Sequence, residues 1–299
     1  VSKLRFTLVA AVNSRKTLEN NLLASPALKS GLLVETLFKE GAASASQAYN
    51  AALDEARGDI VVFVHQDIYL PENWLETVAR SIDALDAANA PWGVLGSFGS
   101  RMDAHGGLGR VFTLGLGLHG NAIVQPELAD SLDEIVLILR KSSGLRFDDA
   151  LPSFHMYGID ICMTARRMGL QTYAIPAFCV HNTNQLLELP REFYDCYRHV
   201  KAKWRSHLPI AASCMVVSAF DGALRKKQLE EFLARVRRNP RKPLCRADDP
   251  KSLLPGDFWQ RFATLGDINF QPLSPSQAPG DPRSRHSLHQ QPSHRREPS

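Results

Sequence analysis

Asp67 closes an apolar run in the stretch "GDIVVFVHQDIYLPENWL", Gly58 to Leu75, which empties onto His65, Gln66 and Asp67. A carboxylate at the end of a buried strand is a hard oxygen ligand, suited to Mg²⁺ or Mn²⁺. The competing use is a helix N-cap. Ile68, Tyr69 and Leu70 separate Asp67 from the helix signalled by Pro71, so capping fits poorly. His181 ends the run "YAIPAFCVH" and can add an imidazole ligand, although a lone histidine is also a common structural residue. Asp160 falls in the first turn of a helix after Gly158, where the helix dipole keeps a carboxylate ionised. That placement suits a general base, and it equally suits plain helix stabilisation. His155 and His65 are weaker candidates, and His105 and His119 lie in a glycine-rich stretch read as a loop beside the site. No GxSxG, HExxH, Walker loop or strand-following GxGxxG is present, which removes the corresponding hydrolase, metalloprotease and nucleotide-loop readings.

The elements that must hold these residues alternate. "RFTLVAAV" reads as a first strand, "LLVETLF" (Leu32 to Phe38) as a second and "DIVVFV" as a third, continuous in the manner of a strand buried on both faces. Between the last two, Ala48, Tyr49, Ala52, Leu53 and Ala56 share one helical face, and Gly58 is the stop. A helix opened by Pro71 buries Trp74, Leu75, Val78, Ile82 and Leu85. Further on come a strand from Ile135 to Leu139 ending in Arg140 and Lys141, a helix from about Ile159 closed by Gly169, and a strand pair or bent strand ending at His181. This order predicts an α/β fold with a mainly parallel sheet flanked by helices, whose strand ends bind the ligand. From Arg191 the pattern is helical. Residues 1–217 are expected to form the main domain, 218–270 a helical C-terminal extension, and 271–299 a disordered, basic, Pro/Ser-rich tail.

The bulk numbers narrow the class. The chain has 299 residues and a formal charge of +4, with no concentrated basic face in the folded part, which argues against a nucleic-acid partner. No apolar run approaches membrane-spanning length. Five scattered cysteines, none at CxxC spacing, predict reduced thiols in a cytoplasmic protein rather than a zinc knuckle or disulfide framework.

With these residues in view, the chain resembles the glycosyltransferase family 2-like proteins of the GT-A fold. "SQAYNAALDEARGDIVVFVHQDIYLPENWL" is similar to "xxYNxGxxxAxGDxxxFLDxDxxxxxxWL". The segment "YGIDICMTARRMG" resembles "EDxDLCLRARRAG", and "PAFCVHNT" resembles the strand-end histidine that follows it. The resemblance implies a Rossmann-like GT-A sheet and a divalent cation, Mn²⁺ or Mg²⁺, on Asp67 at the last acid of DxD, with His181 completing the metal site. It further implies Asp160 as the general base of the "ED" pair, Arg140 and Lys141 as a substrate-binding basic pair, and Glu40 as a loose stand-in for the acid that reads the nucleotide base. His65 replaces the first acid of DxD and can bind metal or stack on the substrate.

The activity so implied is metal-dependent, inverting transfer of a sugar from a nucleotide-diphosphate donor to an unidentified acceptor, a glycan or a lipid-linked one among the candidates, by a cytoplasmic protein. The basic C-terminal helix, Leu224 to Arg238, is able to lie peripherally against an anionic membrane, but its Glu230 and Glu231 offset the charge and favour a solvent-exposed helix. Two alternatives stand beside it. One is a catalytically weak GT-A-like binding or scaffold protein, favoured by His65 in place of the first acid of DxD and by Ile159 in place of the first acid of "ED". The other is a nucleotidyltransferase, which should carry a glycine-rich basic loop after its first strand, where "AAVNSRKTLEN" has the basic residues without the glycines.

Overall fold

The computed structural model describes residues 4–184, 189–236 and 245–265. In chain order, β1 (Phe6–Val12), α1 (Arg15–Asn20), β2 (Leu33–Glu40), α2 (Ala45–Glu55), β3 (Ile60–Val64), β4 (Ile68–Tyr69) and α3 (Trp74–Ala87) come first. They are followed by β5 (Trp92–Gly96), β6 (Gly99–Ser100), β7 (Val111–Thr113), β8 (Gly117–His119), β9 (Glu127–Leu128), β10 (Ser131–Leu132) and β11 (Val136–Arg140). The chain continues through α4 (Tyr157–Arg167), β12 (Gln171–Ala174), β13 (Val180–His181), α5 (Arg191–Lys203), α6 (Gly222–Val236) and α7 (Gly256–Leu265).

Seven strands form the main sheet in the order β2-β1-β3-β11-β5-β12-β9. β2, β1 and β3 are parallel, β11 is antiparallel to both β3 and β5, and β12 is parallel to β5. Five of the seven strands therefore run one way, and β11 and the edge strand β9 are reversed. All five β3 side chains are buried, and they divide between the two faces of the sheet. Val61 and Phe63 join Tyr49, Ala52 and Tyr157 under α2 and α4, while Ile60, Val62 and Val64 pack with Trp74, Val78 and Ile82 of α3. An apolar run without alternation is what a strand covered on both faces needs.

A second, four-stranded sheet, β4-β13-β7-β8, stands off the ends of the main one. The glycine-rich stretch, expected as a loop, supplies β7 and β8 of this sheet. Gly109 explains part of its composition: its φ is +86°, and a Cβ there would lie 2.2 Å from the Ser97 carbonyl oxygen. Of the strand pair or bent strand expected up to His181, the structure has the pair, divided between two sheets: β12 in the large one and β13 in the small one. The helix signalled by Pro71 begins three residues later, with Asn73 in a left-handed conformation at its N-cap, so Asp67 caps nothing there. The tail expected after residue 270 lies outside the described residues.

Candidate active site

Because β1, β2 and β3 are parallel, their C-terminal ends share one edge, and Val12 stands opposite Glu40 in the register. The residues that follow those ends open a cleft of about 700 Å³, lined by Asn13, Ser14, Glu40, His65, Gln66 and Asp67 among others. Phe154, His155 and Tyr157, leading into α4, form another wall. Glu40, His65 and Asp67 thus share the cleft, as the sequence reading expects.

His181 arrives through the small sheet. It stands opposite Ile68 across the β13–β4 pair, and its carbonyl accepts the Leu114 N–H at 2.9 Å. One ligand atom from each of His65, Asp67 and His181 lies within 4.8 Å of the others. His181 Nε2 is 3.4 Å from Asp67 Oδ1. Tyr157 Oη and His65 Nε2 are 2.8 Å apart, and that hydroxyl also donates to the Glu134 carbonyl at 3.2 Å.

Burial and neighbouring charge set the electrostatics of these groups. It pushes the His65 imidazole down to about 4, with His181 adding to the effect and Asp67 opposing it. Burial also acts to raise the Asp67 carboxyl, but the hydrogen bond and charge of His181, with His65 and Arg246, outweigh it and hold Asp67 well below the usual carboxylate range. An ionised carboxylate beside two imidazoles is a mixed oxygen and nitrogen donor set able to hold a divalent cation.

Three expected site residues lie elsewhere. Arg140 and Lys141 end β11, and β11 is antiparallel to β3, so Arg140 stands opposite Ile60 at the start of β3. Both basic residues therefore occupy the far edge of the sheet. Arg140 donates twice to Asp86 at 2.7 Å and stacks over Trp92, while Lys141 donates to the Ala56 carbonyl. They serve the fold there, not the cleft.

Asp160 is also outside the cleft. It is 1% exposed, accepts from Trp204 Nε1 at 2.7 Å, and pairs with Lys203 Nζ at 2.8 Å. The same ammonium donates to Asp148 at 2.7 Å, which His199 also contacts. Registering the family motif on Cys162 and the run Ala165–Arg167 sets Tyr157 and Gly158, not Ile159 and Asp160, at the "ED" positions. The geometry agrees, since Tyr157 lines the cleft and Asp160 does not. An acid cannot stand at 158 without displacement, because a Cβ there would lie 2.7 Å from the Leu132 carbonyl oxygen and 2.9 Å from the Glu134 side chain.

Other contributors are not evident from sequence pattern. Arg246 donates to Asp67 Oδ2 at 2.8 Å and to the Asn182 carbonyl at 3.0 Å. Asn182, fully buried, holds this segment through both ends of its amide, to the Ala247 carbonyl at 2.8 Å and from the Ala247 N–H at 2.9 Å. Gln66 Oε1 accepts the N–H groups of Asn13 and Ser14 at 3.1 Å each, fixing the loop after β1 against the end of β3. Asn182 directly follows His181 in the sequence, whereas nothing in the local pattern around Arg246 points to a site.

The sheet, its flanking helices and the strand-end cleft have the arrangement of a GT-A-type fold. Residues 24–112, from before β2 to β7 and including Asp67, match the profile of Glycosyl transferase family 2, a stretch that contains the first of the three motif segments. A relative from Fuscovulum blasticum, "ATP synthase subunits region ORF 6", is 27% identical over 162 residues, 52% of this chain and 64% of that protein, so the match spans less than two thirds of the relative's length. Solved structures with similarity include S. aureus TarS, at 16% identity and a TM-score of 0.40 over 80% of this chain and 44% of that one. GalNAc-T7 with UDP, GalNAc and Mn²⁺ is 10% identical, with a TM-score of 0.45 over 91% and 59% of the two chains. The mannosyltransferase PcManGT from Pyrobaculum calidifontis, in complex with GDP-Man and Mn²⁺, is 12% identical, with a TM-score of 0.42 over 93% and 85%.

Proposed function

We propose that this chain is a metal-dependent, inverting glycosyltransferase that takes a sugar from a nucleotide-diphosphate donor seated in the strand-end cleft and passes it to a glycan or lipid-linked hydroxyl acceptor. One observation carries the reading: His65 and Asp67 line the cleft that Glu40 also lines, and His181 stands beside them, with one ligand atom from each of the three within 4.8 Å of the others. These three residues would hold the cation, and its chemistry would be neutralisation of charge developing on the diphosphate leaving group.

The chain's own groups supply the rest. Arg246, held on Asp67, adds a fixed positive charge at the same place. Tyr157 orients the His65 ring, Gln66 holds the backbone after β1, and Glu40 offers an acceptor to an N–H of the nucleotide base. His155 replaces Asp160 as the group that accepts the acceptor's proton. It lines the cleft, and burial pushes its imidazole below its usual value, so the ring is neutral near pH 7 and can take up a proton.

A second reading is favoured by the Arg246–Asp67 contact, which already occupies one carboxylate oxygen. It makes the chain a donor-binding protein with little turnover. Release of nucleoside diphosphate from UDP- and GDP-sugars, with Mn²⁺ present, separates the two in the wild type, Asp67→Asn and His155→Ala. Turnover lost in both variants, with nucleotide binding kept in His155→Ala, supports the transferase. Metal-dependent binding without any turnover supports the second reading, and neither binding nor turnover rejects both.

A further inference from the structure

We infer that the outward face of α6 is a docking surface for an anionic lipid bilayer, an inference independent of the reading of the cleft. α6 is fixed to the body by one side. Leu224 is buried, and Glu231 is buried while accepting from the Leu189 N–H at 3.0 Å and the Tyr194 hydroxyl at 3.1 Å. Lys227 approaches the same Glu231 carboxylate at 3.7 Å.

The opposite side carries Leu229, Phe232, Leu233 and Val236, spaced as i, i+3, i+4 and i+7, the pattern of a helix that buries an apolar stripe. Here the stripe faces out: Phe232 is 57% exposed and Val236 62%, and Phe220 just before the helix is 88% exposed. An apolar face of this extent and alignment on a protein surface marks an interaction site.

The charge pattern identifies the partner. Arg225 and Lys226 are exposed beside the stripe, and from Arg225 to Lys242 the chain holds eight Lys and Arg residues against two Glu. Basic residues flanking an apolar stripe are the composition of a helix that lies in the plane of a membrane interface. Each Lys or Arg near an anionic surface adds roughly a few-fold to affinity. A second copy of the chain suits the face poorly, because pairing two such helices would bring like charges together. A spanning role is also excluded for this helix: it has 15 residues, and among the described residues no helix is long and apolar enough to cross a membrane.

The test is flotation of the full chain with phosphatidylcholine vesicles, with and without phosphatidylglycerol, comparing wild type with Leu229→Glu/Phe232→Glu. Both sites are exposed, so the double variant should fold, and its thermal unfolding transition verifies that. The wild type is expected to float with the anionic vesicles, to be released at high salt, and to prefer them to neutral vesicles by about tenfold or more. The double variant should lose that binding, and Asp67→Ala should keep it. Equal flotation of the double variant, or no preference for anionic lipid, overturns the inference. A dimer that the double substitution splits would overturn it too, by assigning the face to a second copy.

Discussion

Replacing Lys203 with Met removes the cation that holds two carboxylates together beneath α4. Lys203 Nζ lies 2.8 Å from Asp160 and 2.7 Å from Asp148, and the Asp160 side chain is 2% exposed against 22% for Lys203. Breaking a buried pair from one side leaves the other charge without compensation, which costs about 3–5 kcal/mol. Partial solvent access to Lys203 puts the expectation at the lower end, about 3 kcal/mol. Asp160→Asn should cost less, since its amide oxygen still accepts from Trp204, and the double variant should be less destabilised than the sum of the two.

The pH dependence has a defined sign. Burial acts to raise the Asp148 carboxyl, but hydrogen bonds from Lys203 and His199 prevail and hold it at about 2, below its ordinary 3.8. The resulting stabilisation, about 1–2 kcal/mol once solvent screening is allowed for and shared among Lys203, His199 and the Ala150 N–H, is fully present above the unfolded-state value and is lost as pH falls from about 4 toward 2. Urea denaturation followed by circular dichroism should therefore show a gap between wild type and Lys203→Met that is widest near neutrality and narrows on acidification. A loss under about 0.5 kcal/mol at pH 7 would refute this assignment, since it would mean the Asp160 carboxylate does not depend on the pair and is available for chemistry.

Other outcomes follow from the same geometry. Arg140→Ala should leave nucleotide binding unchanged by calorimetry and cost only about 1 kcal/mol, because its partners Asp86 and Trp92 lie at the far edge of the sheet. Gln66→Ala frees the N–H groups of Asn13 and Ser14 and should weaken nucleotide binding by about tenfold with little change in thermal stability. Gly158→Asp, which restores the family's acid in sequence, should destabilise the fold by about 3 kcal/mol or more and gain no turnover, because the new Cβ meets the Leu132 carbonyl.

Much of the frame was legible in sequence because it rests on local pattern. The run Ile60–Val64 announces a strand covered on both faces, and Trp74, Leu75, Val78, Ile82 and Leu85 are all buried along α3. His65 and Asp67 were legible because they follow the apolar run of β3, whose end opens on the cleft. His181 also ends an apolar run, but it is brought beside them by β13 of the small sheet, a placement the strand-end rule does not encode. Strand direction was not legible. The same rule applied to Arg140 and Lys141 fails, since antiparallel β11 carries its C-terminal end to the opposite edge. The surroundings of Asp160 were hidden for another reason: a first-turn acid looks alike whether it faces solvent, substrate or, as here, Lys203 and Trp204 at the far end of α5. Arg246 reaches Asp67 across 179 residues of chain, through contacts with Asn182 that no local spacing encodes.

The most direct test of the central claim is calorimetric titration of UDP, GDP and TDP into wild type and Asp67→Ala, each with and without Mn²⁺. The account predicts that one nucleotide binds the wild type only with the metal, and that Asp67→Ala abolishes this binding while unfolding at nearly the same temperature. Nucleotide binding that ignores both the metal and Asp67, or no binding of any of the three, would contradict it.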